Sequence, residues 1–273
     1  MKQLTKNICV ETGWSGANVG YVITTEGLVM IDTPHKPSDA IKWKEEVENK
    51  GKVRYLINTE SHQDHTTCDF FFNTTVIAHE KAREKILNAD VKRILERVVQ
   101  KDPSCIPLIK DYKVNAPSIT FSERLSLYMG KHSFHLIHMP GHTSGQIAVL
   151  IPEERAIFTG DNVCYKVQGF LHDSDPYAWL ESIEQIDKMD VDYIVPGHGD
   201  VCDKSYLKEQ KVFIQDCIDK VSNAITNGWT KEETLAGVSF LQCYPMDSGL
   251  EVSGPIMLEM SVARLYDLLS SKK

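Results

Sequence analysis

The chain has 273 residues, 42% hydrophobic and 25% charged, an ordinary globular composition that can build a sizeable core in one large domain or two small ones. Its net charge of −8 argues against unspecific binding to a nucleic-acid backbone, which needs clustered Lys and Arg. No apolar run approaches the roughly 18 residues of a membrane span, Met1 to Val10 lacks a signal core, and seven scattered cysteines without CxxC spacing read as reduced thiols, so a cytoplasmic protein without membrane contact is expected.

Short apolar runs at 19–23 and 28–31 predict two strands joined by a turn at Glu26-Gly27. Asp32-Thr33-Pro34 ends the second. Ser38 is the expected cap of a helix whose inner face is Ala40, Trp43 and Val47 and which closes at Gly51. Val53 to Ile57 predicts a buried strand, followed directly by Asn58-Thr59-Glu60-Ser61-His62-Gln63-Asp64-His65. Residues 75–78 form another short strand. Residues 80–101 predict one charged helix with a stripe of Ile86, Val91, Ile94, Leu95 and Val98.

The segment 102–118, with Pro103, Pro107 and Pro117, predicts a loop long enough for a lid or an interface. Strand signals follow at 119–121, 125–128, 134–138, 146–151 and 156–159, with a turn at Pro140-Gly141-His142-Thr143. Asp175-Pro176 opens a helix facing inward through Trp179, Leu180, Ile183 and Ile186. A last strand at 191–195 ends in Pro196-Gly197-His198-Gly199. The rest predicts helix at about 204–226, a capping box of Thr230 and Glu233, and helix at about 254–270.

Four pieces carry potential metal ligands just after a predicted strand: Glu60-x-His62-x-Asp64-His65, His142, Asp161 in Thr-Gly-Asp, and His198. Loop ends at one rim of a scaffold are where sites assemble. With these pieces in this order, residues 17–200 resemble the metallo-β-lactamase superfamily, whose signature is His-x-His-x-Asp-His followed by isolated His, Asp and His. Asp32-Thr33 resembles its N-terminal signature. The resemblance implies an α/β fold: an αβ/βα sandwich of two mixed β-sheets flanked by helices, as a domain over 1–203 with a C-terminal helical extension over 204–273. It implies two divalent metal ions, zinc, manganese or iron. Glu60, His62 and His142 would hold one, Asp64, His65 and His198 the other, and Asp161 would bridge them. Relatives that cleave penicillins with a Cys in the bridging slot differ from this chain.

The implied activity is hydrolysis by a metal-bridging hydroxide, oriented by Asp64, on a small ester, lactone, thioester or amide. No nucleophilic Ser or Cys is required. Tyr165, Phe170 and His172 follow Asp161 closely and are the candidate substrate-binding residues. Cys164 and Cys202 read as buried thiols rather than ligands, and the remaining histidines as solvated or core residues. The loop 102–118 and the C-terminal helices are the candidate elements of a homodimer.

Glu60 departs from the family pattern, which has His there. As a ligand it would cancel one more unit of cationic charge, weaken the Lewis acid and favour manganese or iron over zinc. It is also open to being turned away beside one tightly held metal, or to marking a decayed site. A di-iron oxidoreductase or oxygenase of the same fold is the alternative function. Those families place their Glu at a different slot. A nuclease is disfavoured by the charge, and a binding protein with an unproductive site is a further rival.

Overall fold

The first-half strands carry apolar side chains on both faces, the pattern of strands covered on both sides. In β1 (Lys2–Gln3), β2 (Ile8–Glu11), β3 (Val19–Thr24) and β4 (Gly27–Ile31), alternate residues such as Val22, Val29 and Ile31 point one way and Tyr21, Leu28 and Met30 the other. The chain continues through α1 (Pro37–Lys50), β5 (Val53–Ile57), α2 (Gln63–Thr66), β6 (Thr75–His79), α3 (Glu80–Leu87), α4 (Val91–Lys101) and β7 (Ile119–Phe121). In the computed structural model, which describes residues 1–240, 243–247, 250 and 253–271, these seven strands form one sheet in sequence order. It is antiparallel from β1 to β4 and parallel from β4 to β7.

The second half supplies β8 (Arg124–Met129), β9 (His132–His138), β10 (Ile147–Ile151), β11 (Ala156–Phe158), β12 (Cys164–Tyr165), α5 (Pro176–Asp187), β13 (Tyr193–Val195) and β14 (His198–Gly199). Its main sheet has the order β13-β11-β10-β9-β8, and β12 pairs with β14 in a separate short parallel ribbon. Helices α6 (Leu207–Thr226), α7 (Lys231–Gly237) and α8 (Ser253–Ser270) follow.

Three cores stack the layers. Ile8, Val29 and Ile57 meet Phe134, Val149 and Phe158 between the two sheets. Trp43 and Val47 of α1 cover the outer face of the first sheet, with Tyr21 and Met30 beneath them. On the far side, α5, α6 and α8 bury Trp179, Ile183, Ile214, Val221 and Leu265 over Ala148 and Ile157. The αβ/βα sandwich expected from the sequence is therefore present, with both sheets mixed. Among the described residues no helix is long and apolar enough to cross a membrane.

Several local expectations change. Ser38 does not cap α1. The helix opens at Pro37, whose fixed φ suits the first turn, and the Ser38 N–H donates to the distant Asp102 carboxylate at 3.1 Å. The helix expected over 80–101 is two: α3 stops at Leu87, and Asp90 caps α4 by accepting from the Arg93 N–H. The last strand of the second sheet is shorter than 191–195, because the N–H groups of Asp192 and Tyr193 donate to Arg155 O. The segment 102–118 is a loop that begins with successive tight turns, from Pro103–Cys105 to Tyr112, whose N–H donates to Ile109 O. The Thr230–Glu233 capping box forms with both reciprocal bonds.

Candidate metal centre

All four ligand-bearing pieces meet at one edge of the sandwich. Beyond β5 the chain stays pinned to both sheets: Asn58 N–H donates to Ile77 O, and Ile147 N–H donates to Thr59 O at 2.8 Å. This crossing presents Glu60 to the seam while leaving it fully buried. His142 is fixed by Asn162, whose Oδ1 accepts from the His142 N–H and whose Nδ2 donates to Met139 O. The Trp179 ring lies edge-on to His142 at 5.3 Å.

Two glycines make room. Gly160 sits at φ +49°, a region that favours glycine, and a Cβ there would meet Gln146 Nε2 at 2.1 Å. A Cβ at Gly197 would fall 1.9 Å from Asp161 Oδ1. The His198 loop is held across the sheet seam by Asn18, whose Nδ2 donates to Pro196 O and Gly199 O and whose N–H donates to Gly197 O.

The donors form two groups. Glu60, His62, His142 and Asp161 make one, and Asp64, His65 and His198 the other, with ligand atoms within 4.8 Å of one another in each. His62 Nδ1 lies 2.6 Å from Glu60 Oε2 and 3.3 Å from His142 Nε2. Asp161 reaches both groups: Oδ1 is 3.1 Å from His65 Nε2, and Oδ2 is 3.4 Å from both His142 Nε2 and His198 Nε2. His198 Nε2 also faces Asp64 Oδ2 at 3.3 Å.

These residues suit a cation, as the atoms left over show. Glu60 Oε1 and Oε2, Asp161 Oδ1 and His65 Nε2 are buried without a well-formed hydrogen bond and face the other potential ligands of the cluster, His62 Nδ1 lying closest to Glu60. Buried carboxylate oxygens normally find a donor or a metal. Burial opposes ionisation of Asp161, yet His198 and His65 hold its carboxyl well below the usual range. Glu60 is likewise lowered against its burial, chiefly by His62. Burial disfavours the charged imidazole of His62, but Glu60 pushes it up to about 9. His142 is lowered by burial. The donor set of carboxylates and imidazoles fits zinc, manganese or iron.

Of the three candidate substrate-binding residues, only His172 touches the cluster. It stacks on His62 with centroids 5.6 Å apart. Phe170 is buried in the core and reaches His172 by its edge at 6.3 Å. Tyr165 packs against Tyr206 at 4.8 Å. Cys164 is buried, and burial raises its thiol well above the ordinary value.

Three carboxylates stand behind the ligand histidines. Asp32, at φ +54°, accepts from Thr59 N–H and Thr59 Oγ1 and lies 2.9 Å from His65 Nδ1. Asp247 lies 2.7 Å from His198 Nδ1. Asp173, paired with Lys85, is 3.8 Å from His62 Nε2. Sequence reasoning noticed Asp32 as part of a signature but missed Asp173 and Asp247, which no spacing rule connects to the histidines they face. His35, read as core or solvated, is buried beside Asp64, and burial lowers it to about 4.

The model of the metallo-beta-lactamase superfamily matches residues 12–198. A probable metallo-hydrolase of Methanocaldococcus jannaschii is 26% identical over 217 residues, covering 74% of this chain and 97% of its own length. An acyl-coenzyme A thioesterase of Homo sapiens is 25% identical over 206 residues, covering 67% of this chain and 72% of its own. The crystal structure of a metallo-beta-lactamase family protein from Thermus thermophilus superposes with a TM-score of 0.72 at 15% identity, over 99% of this chain and 95% of that one.

Proposed function

Because the chain belongs to the metallo-beta-lactamase superfamily and is a metal-dependent hydrolase, we propose that it is a dinuclear enzyme acting on a small ester, lactone, thioester or amide. The observation that carries this reading is the inward turn of Glu60, whose fully buried carboxylate lies among six other donors around two positions. Residues 1–203 are taken as the catalytic unit and 204–273 as its extension.

Glu60, His62 and His142 would hold one cation, Asp64, His65 and His198 the other, and Asp161 would contact both. Two divalent ions, when bound, supply Lewis acidity and a water made acidic enough to attack near neutral pH. Asp64 lies at the mouth with its side chain 24% exposed. It orients the attacking water, accepts its proton and delivers that proton to the leaving alcohol, thiol or amine as the acyl bond to it breaks. His172, beside His62, walls the approach of the acyl group.

Thioesters head the substrate panel, because the similar human protein is named as an acyl-coenzyme A thioesterase. The test is elemental analysis of protein purified without chelator, followed by activity screens on apo protein reloaded with zinc, manganese or iron. Two metal equivalents per chain are expected, with manganese or iron supporting at least as much hydrolysis as zinc. A single equivalent, or a strict zinc requirement, would contradict the reading of Glu60. A coloured two-iron protein that consumes oxygen and hydrolyses nothing would replace hydrolysis with the oxidoreductase alternative.

A further inference from the structure

The family match ends at His198, yet His198 has a partner well beyond it. Its Nδ1 lies 2.7 Å from Asp247 Oδ2, in the segment between α7 and α8. That segment is tethered by several independent contacts. Gln168 N–H donates to Pro245 O at 2.9 Å. Tyr244 OH donates to Glu209 Oε1, and the Tyr244 ring meets Phe213 edge-on at 5.4 Å. Met246 fills the space over Gly254, where a Cβ would come within 2.5 Å of its sulfur. Leu250 N–H returns to Asp247 O at 3.1 Å.

The chemistry of the ring gives the contact its meaning. An imidazole that donates from Nδ1 keeps its lone pair on Nε2 when neutral, and a carboxylate on the far nitrogen fixes both tautomer and orientation. His198 Nε2 is the nitrogen that faces Asp64 and Asp161. Asn18 already holds the backbone on either side of His198, at Pro196 O and Gly199 O. The ring still has its own torsions to fix, and Asp247 is the group that meets it from behind.

We infer that Asp247 is a positioning residue of the second cation position, supplied by the C-terminal extension, which presents His198 Nε2 to the ion and adds a negative charge behind it. The extension is then part of the metal centre as well as of the outer helical layer. This rests on the two-cation reading of the site.

The experiment titrates zinc ion alone into the apo forms of the wild-type chain, Asp247→Ala, Asp247→Asn and Tyr244→Phe, in competition with a colorimetric chelator. Loss of an outer carboxylate weakens a metal by about 10- to 100-fold, so Asp247→Ala should lose that much at one zinc and little at the other. Asp247→Asn keeps the shape and removes the charge, so it should fall between Asp247→Ala and the wild type. It also keeps the test open if the alanine variant does not fold. Tyr244→Phe loosens the same segment without touching His198 and should bind both zincs as the wild type does. Two wild-type zincs with unchanged affinities in a folded Asp247 variant would overturn the inference alone. So would an equal loss at both positions, or an equal effect from Tyr244→Phe. A wild-type chain that binds one zinc would overturn the two-cation reading itself.

Discussion

Besides the shared Asp161, each group has one carboxylate among its candidate donors, Glu60 with His62 and His142 and Asp64 with His65 and His198, but the second group's histidines also meet a carboxylate on their outer nitrogen, Asp32 behind His65 and Asp247 behind His198. His142 Nδ1 is buried without a hydrogen-bond partner, and the carboxylate nearest the outer nitrogen of His62 is 3.8 Å away. The two groups of donors are thus built on different principles. Both would offer a cation a carboxylate oxygen directly. Only in the second do outer carboxylates stand within hydrogen-bond distance of the imidazoles, where they would aim them. The contrast predicts that the second position holds its imidazoles the more stiffly of the two.

The largest effect should come from the residue the two groups share. Asp161→Ala removes the contact between them, so the purified variant should hold fewer than two metal equivalents and lose hydrolysis to background. Residual turnover near the wild-type level would break the shared-ligand picture. Glu60→His would take away the first group's own carboxylate and leave it only the shared Asp161. The ratio of zinc- to manganese-supported activity should then rise by roughly tenfold, since softer, more neutral ligand sets favour zinc. An unchanged ratio would show that Glu60 does not set metal preference.

Asp32→Asn sharpens the other side of the comparison. It should weaken the metal at His65 by about 10- to 100-fold and leave the Glu60 position nearly unchanged, as read by chelator competition. A uniform loss at both would mean that Asp32 supports the fold rather than the ligand.

The smallest effect uses a histidine pair outside the cluster. His79 and His138 stack with centroids 3.9 Å apart, and each Nε2 meets a carbonyl, Ser122 O for His79 and Ser144 O for His138. His79 is lowered by burial, with His138 adding to the shift and the Ser122 carbonyl and Glu80 only partly opposing it. A depressed pKa means the folded state prefers the neutral ring. Its contribution is complete above the ordinary value of about 6.5 and is lost as the pH falls below that value. Unfolding measured at about pH 7.5 and about pH 5.5 should therefore show a larger acid loss in the wild type than in His79→Gln. Equal losses would remove His79 from the account.

Much of this was legible in the letters because each piece had a local cause. The strand at 53–57 reads from its apolar residues despite Arg54, although only Leu56 and Ile57 of the expected buried strand are buried, and the ligands behind it sit at fixed spacing on one loop. The capping box at Thr230 needs only four residues to declare itself. Asp102 under Ser38 and Asp247 behind His198 are different: each depends on a chain reversal that brings distant segments together, and no periodicity encodes that. Two-residue strands such as β12 and β14 fail for a related reason, since they hold together by each other's backbone and not by a pattern of their own. The break at Leu87 escaped because the apolar stripe continues across it, while Asp90 restarts the helix with its own cap.

Asn18 carries a consequence for the order of assembly. It lies just ahead of β3 in the first sheet, and its amide groups grip the carbonyls of Pro196, Gly197 and Gly199 around the last ligand loop. That grip closes one of the longest loops in the chain, and pairings so distant in sequence form late because their closure entropy must be met first. His198 has its place only where the two sheets are docked. The nascent chain carries Glu60, His62, Asp64 and His65 together from early in synthesis, but the complete pair of binding positions exists only in the finished molecule. A chain whose sheets are undocked presents only part of the donor set.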